Sequence, residues 1–152
     1  MYSHNQYLEA LKRVIDFKRE PPTIDEFLDS KFYMGGRLNV YPYWRRKLRE
    51  LFPDNITTLS TYVVFTGAIG GGKSYVSQII ALYDITKFLC VRDPSKYLDV
   101  DALQGYAFKF FNVYKWKADL FVETLIKFIW SSDIPFFRRE LEDPHSNIHN
   151  IR

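Results

Sequence analysis

Apolar positions recur with a helical period in the N-terminal part of the chain. From Asn5 to Phe17, Leu8, Leu11 and Ile15 share one face with Tyr7 and Val14 beside them, which predicts an amphipathic helix ended by Pro21-Pro22. Thr23-Ile24-Asp25-Glu26 reads as a capping box, so a short helix through Leu28 is expected, then a turn at Gly35-Gly36. Val40 to Tyr43 reads as extended, because a residue before proline avoids the helical region. Trp44 to Phe52 reads as a helix with Trp44, Leu48, Leu51 and Phe52 on one side.

The period then changes. Tyr62 to Thr66 is β-rich and predicts a buried strand, and Tyr75 to Val91 predicts a long helix stopped at Arg92-Asp93-Pro94-Ser95. Tyr97 to Leu103 fits neither period. In Gln104 to Val113, Tyr106, Phe108 and Phe110 alternate with Ala107, Lys109 and Phe111, as in a strand. Ala118 to Trp130 reads as a helix with Ala118, Phe121, Val122, Leu125 and Ile129 facing the core. Ser131 to Arg152 reads as a polar tail whose Asp133, Glu140, Glu142 and Asp143 are solvated.

Between the first strand and the long helix stands Gly67-Ala68-Ile69-Gly70-Gly71-Gly72-Lys73-Ser74, which fits G-x-x-x-x-G-K-[ST]. Glycines let backbone N–H groups turn inward around an anion, and the following helix aims its positive end at the same place. Residues Gly67 to Ser74 are therefore expected to bind a nucleoside triphosphate. Lys73 would reach the β- and γ-phosphates, and the Ser74 hydroxyl would hold Mg²⁺. The bland alternative is a flexible glycine turn that happens to precede a lysine.

The order helices, strand, glycine loop, helix, strand, helix predicts an α/β fold. Its core would be an incomplete parallel sheet of the P-loop NTPase kind, flanked by helices, with an α-helical N-terminal extension. The expected division is a helical extension over 1–55, the phosphate-loop α/β core over 56–139, and a polar tail or truncation point over 140–152.

Composition narrows the class. The chain has 152 residues, 47% hydrophobic and 18% aromatic, enough for a real core and too apolar for disorder. Its 21 basic residues nearly balance 18 acidic ones, so a net charge of +3 permits contact with nucleic acid without arguing for it. The single cysteine, Cys90, excludes an intrachain disulfide and reads as a small buried hydrophobe in a reducing cytosol. No signal peptide opens the sequence. The apolar run Ile79 to Val91, broken by Asp84 and Lys87, is too short to span a bilayer. Asn55-Ile56-Thr57 has the form of a glycosylation acceptor, which has no meaning without secretion.

Other candidate chemistry is weaker. Arg45, Arg46, Lys47 and Arg49 beside aromatics admit a nucleic-acid surface, but a solvated helix face is the simpler reading. His145 and His149 stand four apart, yet the residues between them are poorly helical and a third metal ligand is missing. A hydrolysing phosphate-loop protein needs an apolar strand ending in an acidic residue for Mg²⁺. Asp99, Asp101 and Asp133 come nearest, and none follows four apolar residues in a strand, so no catalytic residue is assigned.

Tyr41-Pro42-Tyr43-Trp44-Arg45, then Val63 to Ser74, then Leu89-Cys90-Val91-Arg92-Asp93-Pro94 resemble the opening of a tailed-bacteriophage terminase large subunit. Phe110-Phe111-Asn112-Val113 and Ser131 to Phe137 agree in order and spacing. The resemblance spans about Thr23 to Arg139, and within it only the glycine loop is individually specific. It implies the ATP-binding part of a DNA-packaging motor, with Mg²⁺ and ATP at Gly67 to Ser74. It also implies double-stranded viral DNA, a portal protein and a small terminase subunit as partners, a homo-oligomeric ring, and assembly in the host cytoplasm without a membrane. The Tyr43-Trp44 region matches the family's adenine-side motif, with Trp44 where a glutamine is often found. In the family's layout, the chain is expected to stop before the acidic strand and the nuclease domain, so as an ATPase it would turn over little. A small P-loop kinase, with Arg138-Arg139 as a thin lid, or a non-catalytic nucleotide- or DNA-binding module are the alternatives.

Overall fold

The helix that follows the glycine stretch, α4 (Lys73–Cys90), buries Val76, Ile79, Leu82, Tyr83, Ile85, Thr86, Leu89 and Cys90. Those positions fill about half of the helix circumference at about 100° per residue, a face broad enough to need more than one packing neighbour. The computed structural model describes residues 4–58, 63–66, 70–94, 114–131 and 133–142. Among these, the other helices are α1 (His4–Val14), α2 (Ile24–Asp29), α3 (Pro42–Leu51), α5 (Lys115–Ile129) and α6 (Pro135–Glu142).

Local signals set most of these elements. Thr23 caps α2, its hydroxyl oxygen accepting from the Glu26 N–H at 3.2 Å. Pro42 opens α3 at its first turn, where a missing N–H costs nothing, so the helix begins two residues before Trp44. Gly36 turns the chain between α2 and α3 with φ at +78°. Helix α5 buries Leu125 and Ile129 on the face that periodicity predicts, with Phe121 packed at the edge of the core.

One continuous apolar cluster joins α2, α3, α4, α5 and α6, running from Ile24 to Phe137. Tyr83 sits at its centre. Its ring packs on Phe27 of α2 at 5.3 Å and edge-on against Phe52, just after α3, at 4.8 Å. Its hydroxyl donates to the Pro22 carbonyl at 2.8 Å, which satisfies a buried polar tip. Full burial of each such side chain contributes about 1.5–3 kcal/mol, against about 0–1 kcal/mol for an exposed ion pair. Packing around α4 therefore decides the fold, and the surface pairs adjust it.

The expected parallel sheet is corrected by the structure. Among the described residues there is no strand, only an isolated antiparallel bridge between Phe17 and Val91. Residues 63–66 have no regular structure, and Val64 is 82% exposed. The reason is physical: β-branched residues favour a pleated, half-buried surface, and a segment without a neighbouring strand gains neither ladder bonds nor cross-strand packing. The other expected strand, 104–113, lies outside the described residues, as does 97–103.

The expected polar tail is also different. Pro135 starts α6, which buries Phe136, Phe137 and Glu140. Phe136 packs on Tyr33 at 5.1 Å, and its N–H donates to the Phe32 carbonyl at 2.9 Å. Glu140 is 2% exposed and accepts from Lys18 Nζ at 2.6 Å, so the carboxylate read as solvated is a buried, paired group.

Cys90 is buried, as its apolar surroundings suggest, and burial pushes its thiol up to about 12 from 9.0. Burial likewise pushes Tyr33 up to about 12 from 10.0 and raises Tyr83. An unfolded chain ionises these groups first, so their contribution is complete below about pH 9 and is lost as pH rises toward 12. The melting temperature of the wild type should fall steadily above pH 9, and Cys90→Ala should fall less steeply. Equal slopes in thermal melts from pH 8 to 11 would contradict this burial.

Candidate functional site

The glycine stretch enters α4 through a turn that only glycine adopts without strain. Gly70 has φ at +88° and Gly72, the N-cap, has φ at +77°. An ordinary residue pays about 1–2 kcal/mol for such a left-handed backbone. Left-handed positions next to helical ones bring consecutive N–H groups to one side, making a concavity suited to an anion.

The helix itself begins at Lys73, with the Val76 N–H bonded to the Gly72 carbonyl at 3.0 Å. No side chain caps this end, and no acidic residue stands in its first turn. The positive end of the dipole of an 18-residue helix is therefore directed at the glycine turn with no side-chain cap on it. Lys73 is half-buried and Ser74 is exposed. Of the eight residues expected at the site, Gly70, Gly71 and Gly72 form this turn and Lys73 and Ser74 begin α4. Gly67, Ala68 and Ile69 lie outside the described residues.

Helix α3 supplies the other wall. Trp44 donates its indole N–H to the Gly71 carbonyl at 2.9 Å, across 27 positions of sequence. Its ring also lies against Gly72, where a Cβ would come within 3.3 Å of the indole nitrogen. Phe65 packs edge-on against Trp44 at 5.7 Å, and Tyr43 does so at 5.1 Å. Between Tyr43, Trp44, Lys47, Val64, Phe65 and Ile80 opens a cleft of about 250 Å³, mostly apolar in its lining. Nothing local in the sequence announces the Trp44–Gly71 bond, because it depends on how α3 packs on α4.

Three of the basic residues of α3 pair with acidic partners at the surface. Arg45 donates to both oxygens of Asp29 at 2.8 and 2.6 Å, and Arg49 to both oxygens of Asp25 at 2.7 and 2.9 Å. Lys47 pairs with Glu50 at 2.6 Å, and Arg46 lies over the Tyr43 ring at 5.8 Å. The Arg45 hydrogen bond holds the Asp29 carboxyl below its ordinary value. These forks tie α3 to α2, so the cluster is an internal clamp as well as a solvated face, and it keeps Trp44 in position.

The remaining candidates among the described residues do not join this site. Asp133 is exposed in the turn before α6, with its carbonyl accepting from Arg37. Arg138 pairs with Glu142 at 3.0 Å on α6. Asp99, Asp101, His145 and His149 lie outside the described residues. Among the described residues no group of three or more His, Cys, Asp or Glu could hold a metal ion. None of the helices described there is long and apolar enough to cross a membrane. No protein-family model, curated protein or solved structure matches the chain.

Gly72 and Gly36 share a left-handed φ, but only Gly72 is approached by a side chain, Gly36 having open space where a Cβ would stand. Gly36→Ala should therefore cost about 1–2 kcal/mol from backbone strain alone. Gly72→Ala should cost more, because the indole must also move. Urea unfolding of both variants checks this, and an equal cost would remove the Trp44 contact from the account.

Proposed function

We propose that Gly70 to Ser74 bind the phosphates of Mg-ATP, as the ATP-binding part of a DNA-packaging motor similar to the tailed-bacteriophage terminase large subunit. The observation that carries the binding is the left-handed glycine turn opening directly into an uncapped long helix. Backbone amides at that turn would surround the phosphate oxygens without a side chain in the way. Lys73 would add a positive charge to the β- and γ-phosphates. Ser74, exposed on the first turn, would offer its hydroxyl to Mg²⁺.

Whole small-molecule sites usually enclose about 300–1,000 Å³, so a cleft of about 250 Å³ is sized for a ring and not for a whole nucleotide. It shares Trp44 with the glycine turn, which suits an adenine lying beside Tyr43 and Trp44, on the side where the family resemblance places the base. The reading rests on the loop and its helix, not on a sheet. Bound Mg²⁺ would draw charge from the phosphates, while the residues named here bind and orient them. With no acidic residue assigned to activate water, binding with slow turnover is expected of this chain. Double-stranded DNA, a portal protein, a small terminase subunit, a subunit ring and the host cytoplasm are the setting that the resemblance supplies.

Calorimetric titration of the chain with Mg-ATP tests the binding step. Removing a charged partner of a phosphate costs about 1.5–3 kcal/mol, so Lys73→Ala should bind at least about tenfold more weakly. Unchanged affinity in Lys73→Ala, or no binding by folded wild type, would overturn the proposal.

A further inference from the structure

The Trp44–Gly71 bond does more than pack two elements together. In a trans peptide, the carbonyl of one residue and the N–H of the next point in opposite directions. The Gly71 carbonyl is taken by the indole N–H of Trp44 at 2.9 Å, so the Gly72 N–H is turned away from α3. A Gly-Gly peptide has little steric reason to keep either orientation, since both flanking residues tolerate positive and negative φ. Reversing it would exchange an outward donor for an outward carbonyl, and a carbonyl oxygen repels an anion.

We propose that Trp44 is a positioning residue that locks the Gly71–Gly72 peptide with its N–H available to the loop's anion. Trp44 can do so because its own place is fixed. Phe65 and Tyr43 flank its ring, Leu48 one turn on is buried in the core, and Arg45 beside it is forked onto Asp29. The lock belongs to the unliganded chain. Its consequence for nucleotide affinity rests on the phosphate-loop reading given above.

The full chain, labelled with ¹⁵N, separates the two ideas. Trp116 and Trp130 are 61% and 53% exposed, so their indole protons should exchange quickly with water while the Trp44 proton is protected. Trp44→Phe keeps an aromatic ring against Phe65 and removes only the donor. It should shift the Gly72 amide resonance, with the thermal midpoint little changed. Loss of one hydrogen bond corresponds to about a fivefold change in an equilibrium constant, so Mg-ATP affinity in Trp44→Phe should fall by about that factor. Trp44→Ala should loosen the turn further.

A Trp44 indole proton that exchanges as fast as those of Trp116 and Trp130 would overturn the lock, as would a Gly72 amide indifferent to Trp44→Phe. Where wild type binds Mg-ATP, equal affinity in Trp44→Phe would overturn it too. If the amide and indole signatures hold and wild type binds no Mg-ATP, the lock is supported and the phosphate reading alone falls.

Discussion

Tyr83 occupies the point where α2, α3 and α4 converge, and it has to satisfy a ring and a hydroxyl there at once. The ring is enclosed by Phe27 and Phe52, while the hydroxyl reaches the carbonyl of Pro22. Lys87, one turn further along α4, lies over both Phe52 and Tyr83 at 4.6 and 4.9 Å, adding its charge to the same aromatic group. A smaller residue would leave a void between three helices, and deleting a large core aromatic costs about 3–5 kcal/mol. That is a sizeable part of the ~5–15 kcal/mol by which a domain is stable. Through Phe52, the residue that follows α3, this contact ties the end of α3 to α4.

The candidate site spans the same two helices. Its N–H groups come from the start of α4, and its restraint comes from Trp44 on α3, so it exists only where the two helices are held together. The Arg45–Asp29 and Arg49–Asp25 forks fix α3 a second time, against α2. Each is worth little alone, but they act on the helix that carries Trp44. A glycine turn is soft by nature. Here a rigid neighbour removes that softness at one peptide, and preorganised donors bind an anion without first being ordered.

Much of the helical content was legible in the chain because it is written locally. Thr23 and Glu26 mark the start of α2, and the spacing of Val76, Ile79, Leu82 and Leu89 marks α4. What escaped depends on distant partners. Val63 and Val64 carry strand propensity, but that propensity is realised only against a neighbour, and the described residues supply none. Helix α6 hides among Arg138, Arg139, Glu140 and Glu142, whose polar count masks the two phenylalanines that anchor it. Glu140 is buried because Lys18 meets it from 122 positions away. The glycine motif names the residues of the candidate site, and the tertiary packing names Trp44.

Phosphate binding by the amides from Gly70 to Ser74 is the proposal on which the rest depends. The most direct measurement is an amide-resolved ¹⁵N NMR titration of the chain with Mg-ATP, with adenosine as the comparison. Saturable shifts concentrated at Gly70, Gly71, Gly72, Lys73 and Ser74 are expected with Mg-ATP and not with adenosine. A well-folded chain whose resonances at those five positions stay still through the titration would contradict it.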